Sequence, residues 1–437
     1  MLKLLCFLLL LSHSYSQAQL PSIDGYWRGA VSRDGAIQLI EFTFSAHGDS
    51  LKAIYNLPDL GMYEEEAPLG AVTDSSFTVK TYMGIFELNI NNEHDEITGI
   101  NHAWKPVPLK FHIKKMVVPL PEYEKKEVEI FIADTEIKGS LYKPLNREKH
   151  PLLIIAHGAD NPSRTNWVYR YYAYLLVKYG YAVFIYDQRG SGASGGKKDA
   201  DLNMHAVDLV AIGKHFSKHA EIDPGRMAII GESRGGWVAP MAAGMSNYFK
   251  SLILIQGSPK SPIDLEYDVI KSSLQDRGFS QSQIDSAISY AGLYFKTARN
   301  PHSWEQLVNE RKMIEDREWT EQLPKSDKLN DENMLWWKNN DVDPAPYLKK
   351  RKASILAIYG TADIYVPAND NAPLMKSYLS ESAKAYKVLT ITDLPHSLYF
   401  YQSLFGNEFS WPEHFWIWPK RSEEMDTAIV EWLKQTL

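Results

Sequence analysis

From Ile23 to about Lys115 the chain alternates apolar and polar residues in short runs, "IQLIEFTFS", "SLKAIYNL", "SFTVKTY", "IFELNI" and "LKFHIKKM", separated by Gly, Asn and Asp. Alternation of period two between turn residues predicts strands with one buried face, and strands this short and frequent predict a small antiparallel sandwich or barrel. The proline-rich "VVPLPEYE" reads as a linker. After Glu122 the pattern changes. "KKEVEIFIA" and "EIKGSLYKP" read as a hairpin, and then continuous apolar runs appear at 151–156, 181–186, 226–231, 251–257, 354–360 and 386–391. Helical patterns such as "NWVYRYYAYLLVKYG" and the terminal "SEEMDTAIVEWLKQ" lie between and after them. Strands apolar on both faces and spaced by amphipathic helices predict a parallel sheet covered on both sides. From Ser258 to Lys352 the patterning is helical without a convincing strand, which predicts an insertion, placed as a lid over the C-terminal edge of the sheet.

The start of the chain changes the picture of where the protein works. "MLKLLCFLLLLSHSYSQAQ" joins one early lysine, an apolar stretch from Leu4 to Leu11 and small residues at Ser16 and Ala18. It reads as a signal peptide over residues 1–18, implying a secreted or periplasmic protein. The apolar stretch is too short to cross about 30 Å of hydrocarbon, so no membrane span is expected. Cys6, the single cysteine, falls inside that segment, so no disulfide framework is expected in the mature chain. Hydrophobic residues make up 44% of the 437, enough for a large core. A net charge of only −7, without a long block of one sign, argues against a nucleic-acid partner. A small molecule or a polymer-linked substrate fits better.

Candidate chemistry centres on a serine between glycines. Gly-x-Ser-x-Gly occurs twice, as "GESRG" at 231–235 and "GASGG" at 192–196. Ser233 follows a strand and opens the helix "WVAPMAAG", the strand-turn-helix setting that presents a nucleophile at a sheet edge. Such a turn brings the residues two before and two after the serine together, which explains Gly231 and Gly235, with Gly236 extending the clearance. Ser194 sits instead in "DQRGSGASGGKKDAD", read as a flexible loop bordering the cleft. Gly190, Gly192 and Gly195 of that loop also spell Gly-x-Gly-x-x-Gly, but no helix opens at them as a dinucleotide phosphate site would need.

A serine hydroxyl needs a base and a group that orients the base. The loop after "SILAIYG" carries Asp363, and the loop after "YKVLTI" carries His396, so both are expected at the edge holding Ser233. Asp341, Asp343 and Asp393 are the competing acids and His414 the competing histidine. His47, His94, His102 and His112 are scattered without metal-ligand spacing, and no metal is expected. Two backbone N–H groups should face the oxyanion, those of Arg234 and of Ala159 in "HGAD". There Gly158 is expected to permit an unusual backbone turn, with His157 structural.

Through "HGAD", "DQRGSGAS", "GESRGGW", "GTADIYVP" and "LPHS", the chain from about residue 122 resembles the α/β-hydrolase superfamily. "IDGYWRGAV", "LKAIYNLPDLGM" and "ITGINHAW" are similar to the β-rich N-terminal domain of secreted bacterial serine esterases. The resemblance implies a β-rich domain at 19–117, an α/β-hydrolase catalytic domain at 122–437 with a helical lid at about 259–352, and hydrolysis of short acyl esters, free or linked to a polysaccharide, without a cofactor. A serine peptidase of the same fold is the alternative, with Glu232 as a candidate to bind a substrate amino terminus. A non-catalytic carbohydrate or lipid binder is a third reading. Tyr290, Tyr294, Trp336 and Trp337 are candidates to line a pocket, set against the plainer reading as core.

Overall fold

A computed structural model describes residues 23–398 and 421–437, apart from residues 34, 48–49, 71–72, 74, 104, 106, 147, 160–161 and 199–200. The expected signal peptide and His414 lie outside the described residues. Two compact units emerge, one reaching to Asp59 and resuming at Glu64–Pro119, the other comprising Leu60–Tyr63 and Leu120–Leu437.

The first unit is built on β1 (Gly25–Arg33), β2 (Ala36–His47), β3 (Ser50–Leu57), β4 (Met62–Glu66), β5 (Leu69–Gly70), β6 (Ser76–Thr81), β7 (Gly84–Ile90), β8 (Glu96–Asn101) and β9 (Leu109–Met116). They form one antiparallel sheet in the order β4-β3-β2-β1-β9-β8-β7-β6-β5. Of the two architectures expected, the sheet takes the barrel-like one. The segment between β4 and β5 reaches both margins, Ala67 N–H donating to Ala53 O (2.9 Å) and Lys80 N–H to Pro68 O (3.0 Å). The alternating apolar positions turn inward and fill the curve with Trp27, Phe42, Phe44, Phe77, Phe86 and Phe111, all buried. Phe42 and Phe44 stack at 5.3 Å, and Trp27 meets Phe44 edge-on at 6.3 Å.

The second unit runs β10 (Tyr123–Ile132), β11 (Thr135–Pro144), β12 (His150–Ala156), α1 (Trp167–Val177), β13 (Ala182–Tyr186), α2 (Leu202–Phe216), β14 (Ile222–Glu232), α3 (Gly235–Met245) and β15 (Phe249–Ile255). It continues with α4 (Pro262–Asp276), α5 (Gln281–Arg299), α6 (Trp304–Ile314), α7 (Glu332–Asn340), α8 (Ala345–Lys349), β16 (Ser354–Gly360), α9 (Ala368–Ser380), β17 (Tyr386–Ile391) and α10 (Glu423–Thr436). The eight strands are ordered β10-β11-β13-β12-β14-β15-β16-β17. β10 and β11 form the antiparallel hairpin, and from β13 to β17 every pairing is parallel.

Period-two packing explains the apolar runs. Leu152, Ile154, Phe184, Met227, Ile229, Leu252, Leu254 and Ile355 belong to the core shared with α2, α3 and α9. Their neighbours Leu153, Ile155, Val183, Ala228, Ile230, Ile253 and Leu356 belong to the core shared with α1 and α10. Both faces exclude water, so apolar residues fill both parities, and a polar exception such as Ser251 of β15 is buried with partners, its Oγ accepting from Trp432 Nε1–H (2.9 Å). β17 is the exception: as the edge strand it is only half-buried. Between β15 and β16, helices α4 to α8 form the insertion, with a core of their own around Ile270, Leu274, Ile284, Tyr294 and Phe295.

Candidate active site

β14 delivers its last residues into a turn so tight that Ser233 takes a left-handed φ of +49°. Its N–H donates to Ile255 O (2.9 Å) and its carbonyl accepts from Gly236 N–H (2.8 Å), so both sides of the strained peptide are held. The surrounding glycines are required by contact. A Cβ on Gly231 would lie 2.4 Å from Gly235 O, and one on Gly235 would lie 2.2 Å from Ala156 O. Strain of this kind, about 1–3 kcal/mol, persists only where packing overdetermines it.

Asp363 leaves the end of β16 and His396 leaves the end of β17, and the structure brings both to Ser233. His396 Nε2 is 3.0 Å from Ser233 Oγ, and His396 Nδ1 is 2.8 Å from Asp363 Oδ2. The other carboxylate oxygen, Oδ1, accepts from the N–H groups of Tyr365 (2.8 Å) and Val366 (2.9 Å). Asp363 is buried and fully hydrogen-bonded, whereas the His396 ring keeps 25% of its side-chain surface open to solvent. The ring of Tyr365, itself half exposed, stands edge-on to His396 at 5.2 Å. The arrangement can take a proton from the hydroxyl and hold the resulting imidazolium.

The competing acids lie elsewhere. Asp341 pairs with Arg299, and Asp343 caps the turn at Ala345. Asp393 is tied through its N–H to Thr361 Oγ1 (2.8 Å).

The "HGAD" loop is held differently from the sequence expectation. Gly158 has no left-handed φ, and a Cβ there would meet only ordinary contacts, 3.7 Å from Tyr169 Oη and 3.8 Å from Ser233 Cβ. Its N–H donates to Tyr169 Oη (2.9 Å) and its carbonyl accepts from the Arg234 guanidinium (2.9 Å). The same guanidinium reaches Gln188 Oε1 (2.9 Å). The Gly158 N–H, engaged by Tyr169, is not free for a substrate, and the next residue along, Ala159, is exposed. Tyr169, Gln188 and the side chain of Arg234 escaped the sequence reading, because nothing in the spacing of "GESRG" says where an arginine side chain will go. His157 is buried, its Nε2–H donating to Tyr186 O (2.7 Å), and burial pushes its pKa down to about 4. It is therefore neutral and anchors the strand end.

One further expectation is corrected, and other candidates find their places. The loop of Ser194 is pinned: Ser194 Oγ donates to Asp187 O (2.6 Å) and accepts from Lys138 N–H (2.9 Å). Asp187 also accepts from Ser163 Oγ (2.7 Å), Arg164 N–H (2.9 Å) and Ala193 N–H (2.9 Å), and a Cβ on Gly192 would strike that carboxylate at 2.4 Å. The glycines thus wrap an internal acid where a phosphate site would need open space. Glu232 has one carboxylate oxygen sealed from solvent, and burial foremost, with the charge of Glu232 adding to it, raises the pKa values of the Tyr169 and Tyr172 hydroxyls. Tyr290 and Tyr294 are buried in the insertion's core with Trp337 packed against it, and Trp336 meets Trp337 edge-on at 4.6 Å. Packing of the insertion is their main place, as in the plainer reading, and Tyr290 also borders a cavity with Trp304, Leu307 and Arg311. Among the described residues no three His, Cys, Asp or Glu side chains cluster as metal ligands, and no helix is long and apolar enough to cross a membrane.

Residues 147–398, more than half of the chain, match the Hydrolase_4 family, described as serine aminopeptidase, S33. The chain belongs to this family. The uncharacterized peptidase YuxL of Bacillus subtilis is 25% identical over 184 residues, 39% of this chain and 25% of that protein. A probable dipeptidyl-aminopeptidase B of Aspergillus oryzae is 23% identical over 246 residues, 53% of this chain and 27% of that protein. The match therefore spans about a quarter of the length of these curated relatives. Among solved structures, the esterase Pf2001 of Pyrococcus furiosus is similar with a TM-score of 0.45 and 19% identity, over 72% of this chain and 92% of that one.

Proposed function

From membership of a serine α/β-hydrolase family, we propose that the protein is an exported carboxylic ester hydrolase acting on short acyl groups. Ser233 attacks the acyl carbon, His396 accepts its proton and returns it to the leaving alcohol, and Asp363 holds the imidazolium. The N–H groups of Arg234 and Ala159 stabilise the oxyanion, and water then releases the acid. The observation that supports this most directly is the continuous hydrogen-bonded line from Ser233 Oγ through His396 to Asp363. The alcohol part belongs to a small molecule or to an esterified polysaccharide.

A serine peptidase is the second reading, favoured by the description of the matching family and by the names of the curated relatives. Purified protein should hydrolyse a chromogenic acetyl or butyryl ester, and Ser233→Ala should abolish this while Ser194→Ala leaves it intact. Faster turnover of aminoacyl anilides than of the esters would select the peptidase reading. Export is tested by fractionating cells and sequencing the mature amino terminus, expected after residue 18.

A further inference from the structure

The short segment after β15, Gln256-Gly257-Ser258, touches the carriers of all three residues of the relay. Next to it, Ile255 O takes the Ser233 N–H. Gly257 packs so closely under the elbow that a Cβ on Gly236 would lie 2.4 Å from Gly257 Cα. Ser258 Oγ donates to Asn371 Oδ1 (2.7 Å), and Asn371 Nδ2 donates to Pro367 O (2.9 Å), closing the turn that begins at Asp363. The third link is made by a side chain: Gln256 Nε2 donates to Pro395 O (2.9 Å), the carbonyl of the peptide that leads into His396.

Gln256 is an expensive residue at this position. It is completely buried, takes a left-handed φ of +53°, and its Oε1 finds no donor among the described residues. Its N–H is spent on Ile358 O (2.7 Å), which ties the same residue to β16. A left-handed φ on a residue other than glycine and an unsatisfied buried acceptor are each destabilising, and strain of this sort gathers where function requires a fixed geometry. The one bond that the side chain makes falls on the loop of His396. That loop follows the edge strand β17, which among the described residues has a neighbouring strand on one side only. Of the three loops it is the one whose supporting strand does least to hold it.

We propose that Gln256 is a positioning residue for the hydrolytic reaction, its amide fixing the loop of His396 so that the imidazole stays aligned between Asp363 and Ser233. The inference rests on the triad reading above. It treats the segment at 256–258 as the common brace by which one strand end registers three separate loops.

The test uses the whole protein and a chromogenic acetyl ester. Gln256→Met keeps the volume and removes the amide. Gln256→Asn keeps a residue that accepts a left-handed φ, with an amide one methylene too short to reach Pro395. Both variants should fold. In both, kcat should fall by about 10- to 100-fold, the scale of a slight misalignment of reacting groups. KM should stay within about twofold, and labelling of Ser233 by a fluorophosphonate should slow in step with kcat. The low-field proton resonance of the His396–Asp363 hydrogen bond should broaden or vanish, a change that a loss of packing elsewhere would not produce. A folded variant with kcat within about twofold of the parent overturns the proposal. So does a rate loss that equals the unfolded fraction, with the folded remainder turning over normally and keeping its resonance. If Ser233→Ala retains activity, the triad reading falls and takes this role with it. An inactive Ser233→Ala beside fully active Gln256 variants removes the role of Gln256 alone.

Discussion

Replacing Asp363 by asparagine should be far more damaging to turnover than to stability, and the hydrogen bonds say why. Oδ1 accepts from two backbone N–H groups, those of Tyr365 and Val366, while Oδ2 faces His396 Nδ1. An asparagine can keep both backbone donors satisfied only with its oxygen in the Oδ1 place, which turns its NH2 toward the imidazole. His396 must then accept at Nδ1 and carry its proton on Nε2, pointing at Ser233 Oγ, where it can no longer take the hydroxyl proton. The opposite amide orientation would set NH2 against two buried donors, at about 1–3 kcal/mol for each group left unsatisfied, so about 2–6 kcal/mol in all. The productive tautomer is therefore excluded, and kcat for a chromogenic acetyl ester at neutral pH should fall about 10⁴-fold, or about 5 kcal/mol. Asp363→Asn should melt close to the parent because every backbone donor keeps its acceptor. Asp363→Ala, which strips the acceptor from Tyr365 and Val366, should melt clearly lower. A loss of less than about tenfold in Asp363→Asn would refute the reasoning, since it would mean that the orientation of the imidazole does not depend on this carboxylate.

Two neighbouring glycines should separate sharply. In Gly235→Ala the new Cβ would lie 2.2 Å from the backbone oxygen of Ala156, so the start of α3 must move; a stability loss of about 1–3 kcal/mol in denaturant titration, together with loss of hydrolytic turnover, is expected. Gly158→Ala places its Cβ no closer than 3.7 Å to any neighbour and should cost less than about 1 kcal/mol. His157 should give the protein a measurable acid sensitivity. Its folded pKa is depressed to about 4 from 6.5, so below pH 6.5 the unfolded chain binds a proton that the native state refuses. The stabilisation is whole above that point and is lost progressively as the pH falls toward 4, by about 3 kcal/mol in total. Urea unfolding of the parent and of His157→Gln between pH 7.5 and pH 4 should show the difference in slope.

The central sheet was legible because both its faces are buried, which leaves short unbroken apolar runs at Leu152–Ala156 or Ile355–Tyr359, and their length and their spacing by amphipathic helices mark them as strands. The elbow was legible because its geometry forbids Cβ atoms at positions 231 and 235, and absence of a side chain is visible in sequence. Asp363 and His396 could be placed only by chain order, as residues on the loops after two late strands. What stayed hidden depends on contacts between distant residues. The reach of Arg234 to Gly158 and Gln188, and the reach of Gln256 to Pro395, have no local pattern. Gly158 misled for the opposite reason: a glycine in a loop suggests a backbone need, yet its φ is ordinary and its surroundings would admit a methyl group. The aromatic residues of the insertion are ambiguous in sequence, because Tyr290 or Tyr294 at helical spacing can face a ligand or one another, and only the packing of α5 against its neighbours decides.

The insertion from α4 to α8 carries an apolar centre of its own and is joined to the core of the sheet through Leu265 of α4 and Leu348 of α8. Mutations confined to that centre should be absorbed within the insertion, whereas changes at Leu265 or Leu348 should be felt by the strands that present Ser233, Asp363 and His396. A chimera that exchanges only this inner centre for a foreign one is then the practical probe of what the insertion does: an altered order of preferred substrates with the hydrolytic rate retained would assign selectivity to it.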